Sequence, residues 1–145
     1  MSISRWLKLV DGTDSEGAAL DALDSVEAAL SVTLPDDYRN AMLEANGGDT
    51  DFGKSWVILW PVEEVVHWNV LASEFRQGLT LFGTNGGGED YAWDWRSDRH
   101  ALYVVVPSIG GIEDAIPCGH SFDEFLRTLF DSGIPYASPE SSTSV

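Results

Sequence analysis

Acidic side chains are concentrated in a short stretch of the chain that also carries three consecutive glycines. Glu89 and Asp90 follow the glycines, and Asp94 comes four residues after Asp90. On a strand, Asp90 and Asp94 would share a face, and a pair of carboxylates can act as general acid and base in glycoside hydrolysis. Because the chain holds 24 Asp and Glu, such spacings arise by chance, and solvated or capping roles are the simpler interpretation. We therefore predict no catalytic residue. A hydrolase that uses Glu89, Asp90 or Asp94 is kept as the third of three functional hypotheses.

The glycine triplet Gly86, Gly87 and Gly88 is the second chemical feature. A phosphate-binding loop would carry Lys and Ser or Thr after its glycines and would lead into a helix. Here two carboxylates follow, which would repel a phosphate. The triplet therefore predicts a structural corner with positive φ, including at Gly87, so that Gly87→Val should damage the fold. The alternative is a ligand or partner site built on this corner.

Histidine and cysteine do not form a recognisable metal motif. His67, His100 and His120 are isolated, and Cys118 is the single cysteine, so metal-ligand spacings such as Cys-x-x-Cys are absent from the sequence. We expect Cys118 to be a half-buried, neutral thiol. Ser121 follows His120, but its place before an apolar run is explained by helix capping. The sequence predicts neither a metal site nor a cofactor.

Net charge excludes two classes of partner. The formal charge is −16, and the eight Lys and Arg are scattered singly, so neither nucleic acid nor an anionic membrane surface is expected to bind. Between residues 11 and 51, eleven carboxylates accompany a single base, Arg39. Such a field accelerates association with a basic partner, although acidity also serves solubility. The acidic face of the first helix, with Asp21, Asp24 and Glu27, is the candidate contact surface.

The sequence shows no pattern typical of a targeting signal. Residues 1–10 are interrupted by Arg5 and Lys8 and do not resemble a signal peptide. No apolar run approaches the roughly 20 residues of a membrane-spanning helix. With a single cysteine, the sequence favours a reducing compartment, and we expect a cytoplasmic protein. The sequence does not indicate the oligomeric state.

Hydrophobic periodicity and end signals predict an α+β fold, with helices first, a largely antiparallel sheet next and a closing C-terminal helix. Leu20, Leu23 and Val26 form an apolar stripe on the first helix. Pro35 and Pro61 are expected at the first position of two further helices. Helices are predicted over residues 15–30, from 35 to a stop at 46–48, from 61 onward and from 121 onward. Strands are predicted over residues 55–60, 79–82, 91–95 and 102–106, and near 115–116. We expect a single domain over 1–131 and a flexible tail over 132–145.

Two details of these elements bear on function. Ser121 and Glu124 fit a capping box, in which each side chain accepts from a backbone amide near the helix start. In the strand 91–95, Tyr91, Trp93 and Trp95 fall on one face and Ala92 and Asp94 on the other. The aromatic side chains, with Trp56 and Trp60, are expected in the core, with a partner surface as the alternative.

An ordered set of motifs spans residues 25–130. These motifs are Leu34-Pro-Asp-Asp-Tyr-Arg39, Asn46-Gly47-Gly48, Leu59-Trp60-Pro61 with Glu63-Glu64, Phe82-Gly83 with Gly86-Gly87-Gly88-Glu89, Tyr91-Ala92 with Asp94, and Ser121-Phe122 with Glu124-Phe125-Leu126. Together they resemble the SUKH superfamily, the Smi/Knr cell-wall-regulator and bacterial immunity-protein group. The resemblance implies an α+β domain with a mixed, largely antiparallel sheet packed against helices.

The same resemblance implies a protein-binding role without catalysis. Bacterial members act mainly as immunity proteins that bind and neutralise polymorphic toxins, often nucleases, and fungal members are scaffolding regulators. A nuclease is basic where it holds phosphates, so an acidic inhibitor can occupy that surface as a charge mimic. The partner-binding hypothesis names Asp21, Asp24, Glu27, Glu89, Asp90 and Asp94. The alternative is a ligand-sensing or adaptor domain that uses the region Gly86–Asp94.

Overall fold

The computed structural model describes residues 17–52, 54–72, 78–96, 102–109 and 112–134. Its elements, in chain order, are α1 (Leu20–Leu30), α2 (Asp36–Glu44), β1 (Gly48–Phe52), β2 (Ser55–Leu59), α3 (Val62–Leu71), β3 (Leu79–Thr84), β4 (Glu89–Asp94), β5 (Leu102–Pro107), a 3-10 turn (Ile112–Asp114), β6 (Ile116–Gly119) and α4 (Phe122–Asp131). Two helices precede the sheet and one closes the fold, so the predicted α+β class is confirmed.

The six strands form one sheet in which each strand pairs with the next along the chain. The order is β1-β2-β3-β4-β5-β6, and every pair among the described strands is antiparallel. The sequence did not predict β1, because Asn46-Gly47-Gly48 was interpreted only as a helix stop. Gly47 does have a positive φ of 86°, but the chain enters β1 directly afterwards.

One face of the sheet, here called the core face, is covered by all four helices. Tyr91 and Trp93 lie on it as predicted, and both are fully buried. Trp93 stacks on Phe82 with ring centroids 4.5 Å apart, and the ring of Tyr38 from α2 meets it edge-on at 4.7 Å. Phe125 from α4 closes the same group of rings. Burial of these large aromatic side chains, together with the aliphatic residues packed around them, stabilises the fold.

The first helix is shorter than predicted. It begins at Leu20, and the predicted start at residue 15 lies outside the described residues. Gly17 passes against the backbone of Leu43, and the amide of Ala18 donates to the carbonyl oxygen of Met42 at 2.7 Å. This segment is therefore fixed to α2 before α1 starts. Leu20 is 54% exposed, so this residue of the predicted apolar stripe is not buried in the core, whereas Leu23 and Val26 are.

The other helix ends follow the sequence signals within one residue. Pro35 and Pro61 immediately precede α2 and α3 instead of opening them. The Ser121 hydroxyl accepts from the Glu124 amide at 3.0 Å, which confirms the predicted cap. The Glu124 carboxylate accepts from the amide of His120, one residue earlier than a capping box requires.

Two further expectations need correction or limits. Trp56 was expected in the core but is 48% exposed, because β2 alternates and its core-face residues are Val57 and Leu59. Beyond α4, Gly133 is buried and Ile134 packs against the core. The rest of the predicted tail, 135–145, lies outside the described residues.

Candidate functional site

The second face of the sheet, here called the outer face, carries the predicted carboxylates Asp90 and Asp94. Between them, Ala92 is buried with Leu81 and Val104 in a small apolar cluster separate from the main core. Asp90 lies between Thr84 of β3 and Val106 of β5, which are its paired neighbours. The outer face therefore places a carboxylate at the border of an apolar surface.

Beside part of β3, helix α3 takes the position that β2 would otherwise occupy, and this leaves a recess in the outer face. β2 pairs with β3 only at Ile58–Thr84 and Leu59–Gly83. Farther along β3, the side-chain amide of Asn69 donates to the Leu81 carbonyl oxygen and accepts from the Leu81 amide, both at 2.8 Å. Asn69 thus satisfies the backbone of β3 as a neighbouring strand would. Sequence reasoning missed this residue.

An open recess of about 450 Å³ lies between α3 and the sheet, and we call it the aromatic concavity. It is lined by Trp60, Trp68, Leu71, Ala72, Leu81, Thr84, Asp90 and Ser108. The rings of Trp60 and Trp68 stack with centroids 5.3 Å apart. Asp90 Oδ1 accepts from the Ser108 hydroxyl at 3.1 Å. The concavity is thus mainly apolar and aromatic, with a carboxylate and two hydroxyls at its edge.

The glycine corner, Gly86–Gly88, connects β3 to β4 close to this recess. Gly86 and Gly88 have positive φ values of 74° and 116°, but Gly87 does not, so the expectation of a positive φ at Gly87 is wrong. The Asn85 side chain accepts from the amides of Gly87 and Glu89 at 2.8 and 3.1 Å. These amides are already paired within the corner, which favours the structural interpretation over an anion site.

The three carboxylates near the corner are not brought together. Glu89 lies on the core-face side of β4 and accepts from Asn85 Nδ2 at 2.6 Å. Asp94 accepts from Arg96 Nη2 at 2.8 Å and from Arg96 Nε at 2.9 Å, and these hydrogen bonds hold its pKa below the usual range. Asp90 and Asp94 are four positions apart on β4, about 13 Å along the strand, which exceeds the separation of a glycosidase pair. A low pKa is also unsuited to a general acid.

Some of the carboxylates on the acidic face of α1 make contacts that stabilise the fold. Asp24 and Glu27 lie 3.2 and 3.1 Å from the guanidinium of Arg39. Glu27 Oε2 also accepts from the Leu34 amide at 2.8 Å, so it anchors the turn into α2. Asp21 is exposed, and the Asp24 side chain is 60% exposed. Of the three predicted residues, Asp21 and Asp24 face solvent most directly.

Asp37 lies in the first turn of α2, where a carboxylate is favoured, yet it also joins three elements of the fold. Its carboxylate accepts from the Tyr38 amide at 2.8 Å, the Tyr103 hydroxyl at 2.9 Å and the Phe122 amide at 2.7 Å. Burial and the charge of Asp37 raise the pKa of Tyr103, so its hydroxyl stays protonated and donates. The local sequence carried no signal for these contacts, because the partners are 66 and 85 residues away.

Among the described residues, the remaining candidate groups form neither a reactive thiol nor a metal-binding cluster. Burial raises the pKa of the Cys118 thiol to about 12, with a further contribution from the charge of Glu124. The thiol is therefore a poor nucleophile. Within the described ranges, no three His, Cys, Asp or Glu side chains are grouped so as to hold a metal ion. Nor does any helix in those ranges combine the length and apolar character required to cross a bilayer. The predicted His100 lies outside the described residues.

The amino-acid sequence is similar to a protein family and to a bacterial protein. The model of the SMI1 / KNR4 family (SUKH-1) matches residues 17–128, from the segment before α1 into α4. "Uncharacterized protein YnaB" of Bacillus subtilis (strain 168) is 28% identical over 114 residues, which cover 77% of this chain and 76% of that protein. The matched span contains both the aromatic concavity and the glycine corner.

Proposed function

The chain belongs to the SMI1/KNR4 family (SUKH-1), and from this premise we propose that it is a protein-binding domain of the immunity type. In this proposal it binds a basic toxin protein and neutralises it by covering the surface with which the toxin acts. A nuclease is the toxin class that best fits a chain of formal charge −16, since nucleases present a cationic surface to phosphates. We place the encounter in the cytoplasm.

The aromatic concavity is the observation that carries this proposal. Trp and Tyr dominate the energetics of protein interfaces, and here Trp68 is 38% exposed beside the exposed Leu71. Val70 and Ile109, the sequence neighbours of the lining residues Leu71 and Ser108, are also exposed. A surface with aromatic and aliphatic side chains beside a carboxylate is typical of a protein-contact region.

Of the six acidic residues in the contact hypothesis, we assign three to the partner surface: Asp21 and Asp24, which are exposed, and Asp90, which lines the concavity. The other three hold the fold: Glu27 through Leu34 and Arg39, Glu89 through Asn85, and Asp94 through Arg96. Removing one of these would alter both folding and binding. The three assigned residues are thus the ones to change in a binding experiment.

We further propose that the domain acts without catalysis. Among the described residues, Glu89, Asp90 and Asp94 do not face one cleft, and Cys118 is a buried, protonated thiol. Neutralisation by binding requires no reacting group. Turnover of a substrate that is lost on Asp90→Asn would overturn this part of the proposal.

The experiment is co-expression with a basic toxin encoded beside this gene. Wild-type protein should restore growth that the toxin arrests and should form a complex with it. The variant Asp21→Asn/Asp24→Asn should associate several-fold more slowly, because steering by surface charge acts on the association rate. Glu113→Gln/Asp131→Asn makes the same change in net charge on other elements and should have a smaller effect. Failure of the wild type to protect cells from any such toxin would contradict the proposal.

A second function, a small-ligand sensor, is favoured by one feature. The concavity has a volume within the range of small-molecule sites and lies beside the region Gly86–Asp94. Its open shape would leave a small ligand largely in water, which favours a protein partner instead. Native mass spectrometry of protein purified under mild conditions tests the alternative, since a sensor should retain a bound small molecule at this recess.

A further inference from the structure

The two edges of the sheet differ in how they would receive an additional strand. At one edge, β6 contains Pro117, which lacks a backbone donor, and its register with β5 shifts between Tyr103 and Val104. At the other edge, β1 contains no proline and pairs with β2 through all five of its residues without a shift. Proline and bulges protect an edge strand from further pairing, and β1 has neither.

The hydrogen bonds of β2 show which of its residues face β1. The Trp56 carbonyl oxygen accepts from the Tyr91 hydroxyl at 2.8 Å, and the Trp60 amide, just after β2, donates to the Phe82 carbonyl oxygen at 3.2 Å. Tyr91 and Phe82 belong to β4 and β3. Because the backbone groups of successive strand residues point to opposite sides, the even-numbered residues of β2 face β3 and the odd-numbered residues face β1.

Two residues of β1 therefore direct their backbone groups away from the sheet. The odd-numbered residues of β2 pair with Gly48, Thr50 and Phe52, so the amide and carbonyl groups of Asp49 and Asp51 lie on the free side of the strand. Within the described part of the chain, no backbone hydrogen bond reaches β1 from that side. A strand added beside β1 would pair with these groups.

The charge of β1 selects among possible added strands. Two of its five residues are Asp, and none is basic. A second copy of β1 would bring carboxylates beside these carboxylates, and like charges on paired strands are destabilising. A strand with Lys or Arg at alternate positions would bring opposite charges, which stabilise such a pair. Asp49 is exposed, and its carboxylate accepts from Nε1 of the exposed Trp56 on the outer face.

We propose that β1 is the docking edge for an extended basic segment of the partner protein, which adds a strand to the six-stranded sheet. The inference rests on the proposed function, since it states how the basic toxin is held. Backbone hydrogen bonds to Asp49 and Asp51 supply the pairing, and Lys or Arg side chains beside Asp49 supply the selectivity.

The docking edge is tested by hydrogen exchange, followed by nuclear magnetic resonance on the full chain labelled with ¹⁵N. The probe is the peptide acetyl-Lys-Val-Lys-Val-Lys-amide, with acetyl-Glu-Val-Glu-Val-Glu-amide as its acidic comparison. In the chain alone, the amides of Asp49 and Asp51 should exchange at least about tenfold faster than those of Thr50 and Phe52, which face β2. The basic peptide at saturation should slow the two outward amides about tenfold, and the acidic peptide should not.

Methylated peptides distinguish strand pairing from attraction between charges. In an added strand, only alternate peptide amides face β1. One version of the probe is methylated on the backbone nitrogens of its Lys residues and another on those of its Val residues, so both keep the charge. One version should bind at least about tenfold more weakly than the probe, and the other within about threefold of it. Equal affinities of the two methylated peptides would overturn the inference.

Matched variants locate the pairing. Asp51→Pro removes an outward amide, which an edge strand tolerates, and should abolish the slowing of exchange by the peptide. Asp51→Asn keeps the amide and removes the charge, so it should only weaken peptide binding several-fold. The spectrum reports whether each variant is folded, and the methylated peptides test the same contact on the unchanged chain. Full peptide binding in a folded Asp51→Pro would contradict the assigned edge.

Two other occupants are outcomes of the same measurements. Slow exchange at Asp49 and Asp51 in the chain alone would assign the edge to another segment of this chain, or to a second copy if it appears only at high concentration. Either result would overturn the inference. Protection from the toxin that persists undiminished in a folded Asp51→Pro would reject the edge while leaving the proposed function standing. Peptide binding at this edge without protection from any toxin would do the reverse.

Discussion

The carboxylates of this protein differ in role, and the count of acidic residues in the sequence does not reveal which of them hold the fold. Asp37 accepts three hydrogen bonds from two helices and a strand, whereas its neighbour Asp36 is exposed. Both residues occupy the first turn of α2, where a negative charge is favoured. The difference between them depends on contacts across the fold, so a local motif could not distinguish them.

Asp37→Asn should destabilise the protein by about 1–3 kcal/mol, because an amide nitrogen would replace one acceptor oxygen opposite a buried donor. The matched change Asp36→Asn should alter stability by less than about 1 kcal/mol. Denaturant unfolding followed by tryptophan fluorescence measures both. Equal effects of the two substitutions would contradict the role assigned to Asp37.

The ion pair between Asp94 and Arg96 makes the stability of the folded state depend on pH. A catalytic acid has a raised pKa, whereas the pKa of Asp94 is lowered. Its folded-state pKa is lowered by Arg96, below the unfolded value of about 3.9, so the ionised form stabilises the folded state. This contribution is complete above the unfolded pKa and is lost as pH falls through the folded pKa. The stability difference between wild type and Asp94→Asn should therefore shrink on acidification below about pH 4. A difference that grows with acidity would reverse the assignment.

At the scale of elements, local signals predicted most of the sheet and the helix starts. The capped start of α4 and the face alternation of Tyr91 and Trp93 follow from neighbouring residues alone. β1 was missed because its sequence, GDTDF, is mostly polar, and its strand conformation depends on pairing with β2. The recess could not be predicted from the sequence either, because it forms only where Asn69 of α3 takes the place of a strand beside Leu81.

The glycine corner yields a prediction at this scale. Gly88→Ala should cost about 1–3 kcal/mol, because an L-residue is strained at a φ of 116° even though its Cβ meets no atom within 4 Å. Gly87→Ala should be nearly neutral, since Gly87 lacks a positive φ and its Cβ would approach no atom closer than 3.7 Å. Thermal unfolding of the two variants distinguishes them. A greater loss in Gly87→Ala would contradict the observed corner geometry.

For the whole molecule, the acidic excess is less available to a partner than the sequence count indicates. Between residues 11 and 51, Glu27 is paired with Arg39 and the Leu34 amide, and Asp37 is occupied by internal hydrogen bonds. In the proposed complex, charge would steer a basic partner toward the molecule, while the apolar surface around Trp68 would provide area to bury. Both contributions are needed, because attraction between exposed charges is weakened by salt.

The central claim, that this chain neutralises a basic toxin by binding it, is tested most directly by titrating the purified toxin with the purified chain. Heat of binding and remaining toxin activity are measured together at low and high salt. We predict a saturable complex in which toxin activity is lost, with an affinity that falls as salt increases. Full toxin activity in the presence of excess chain, with no heat of binding at either salt concentration, would contradict the account.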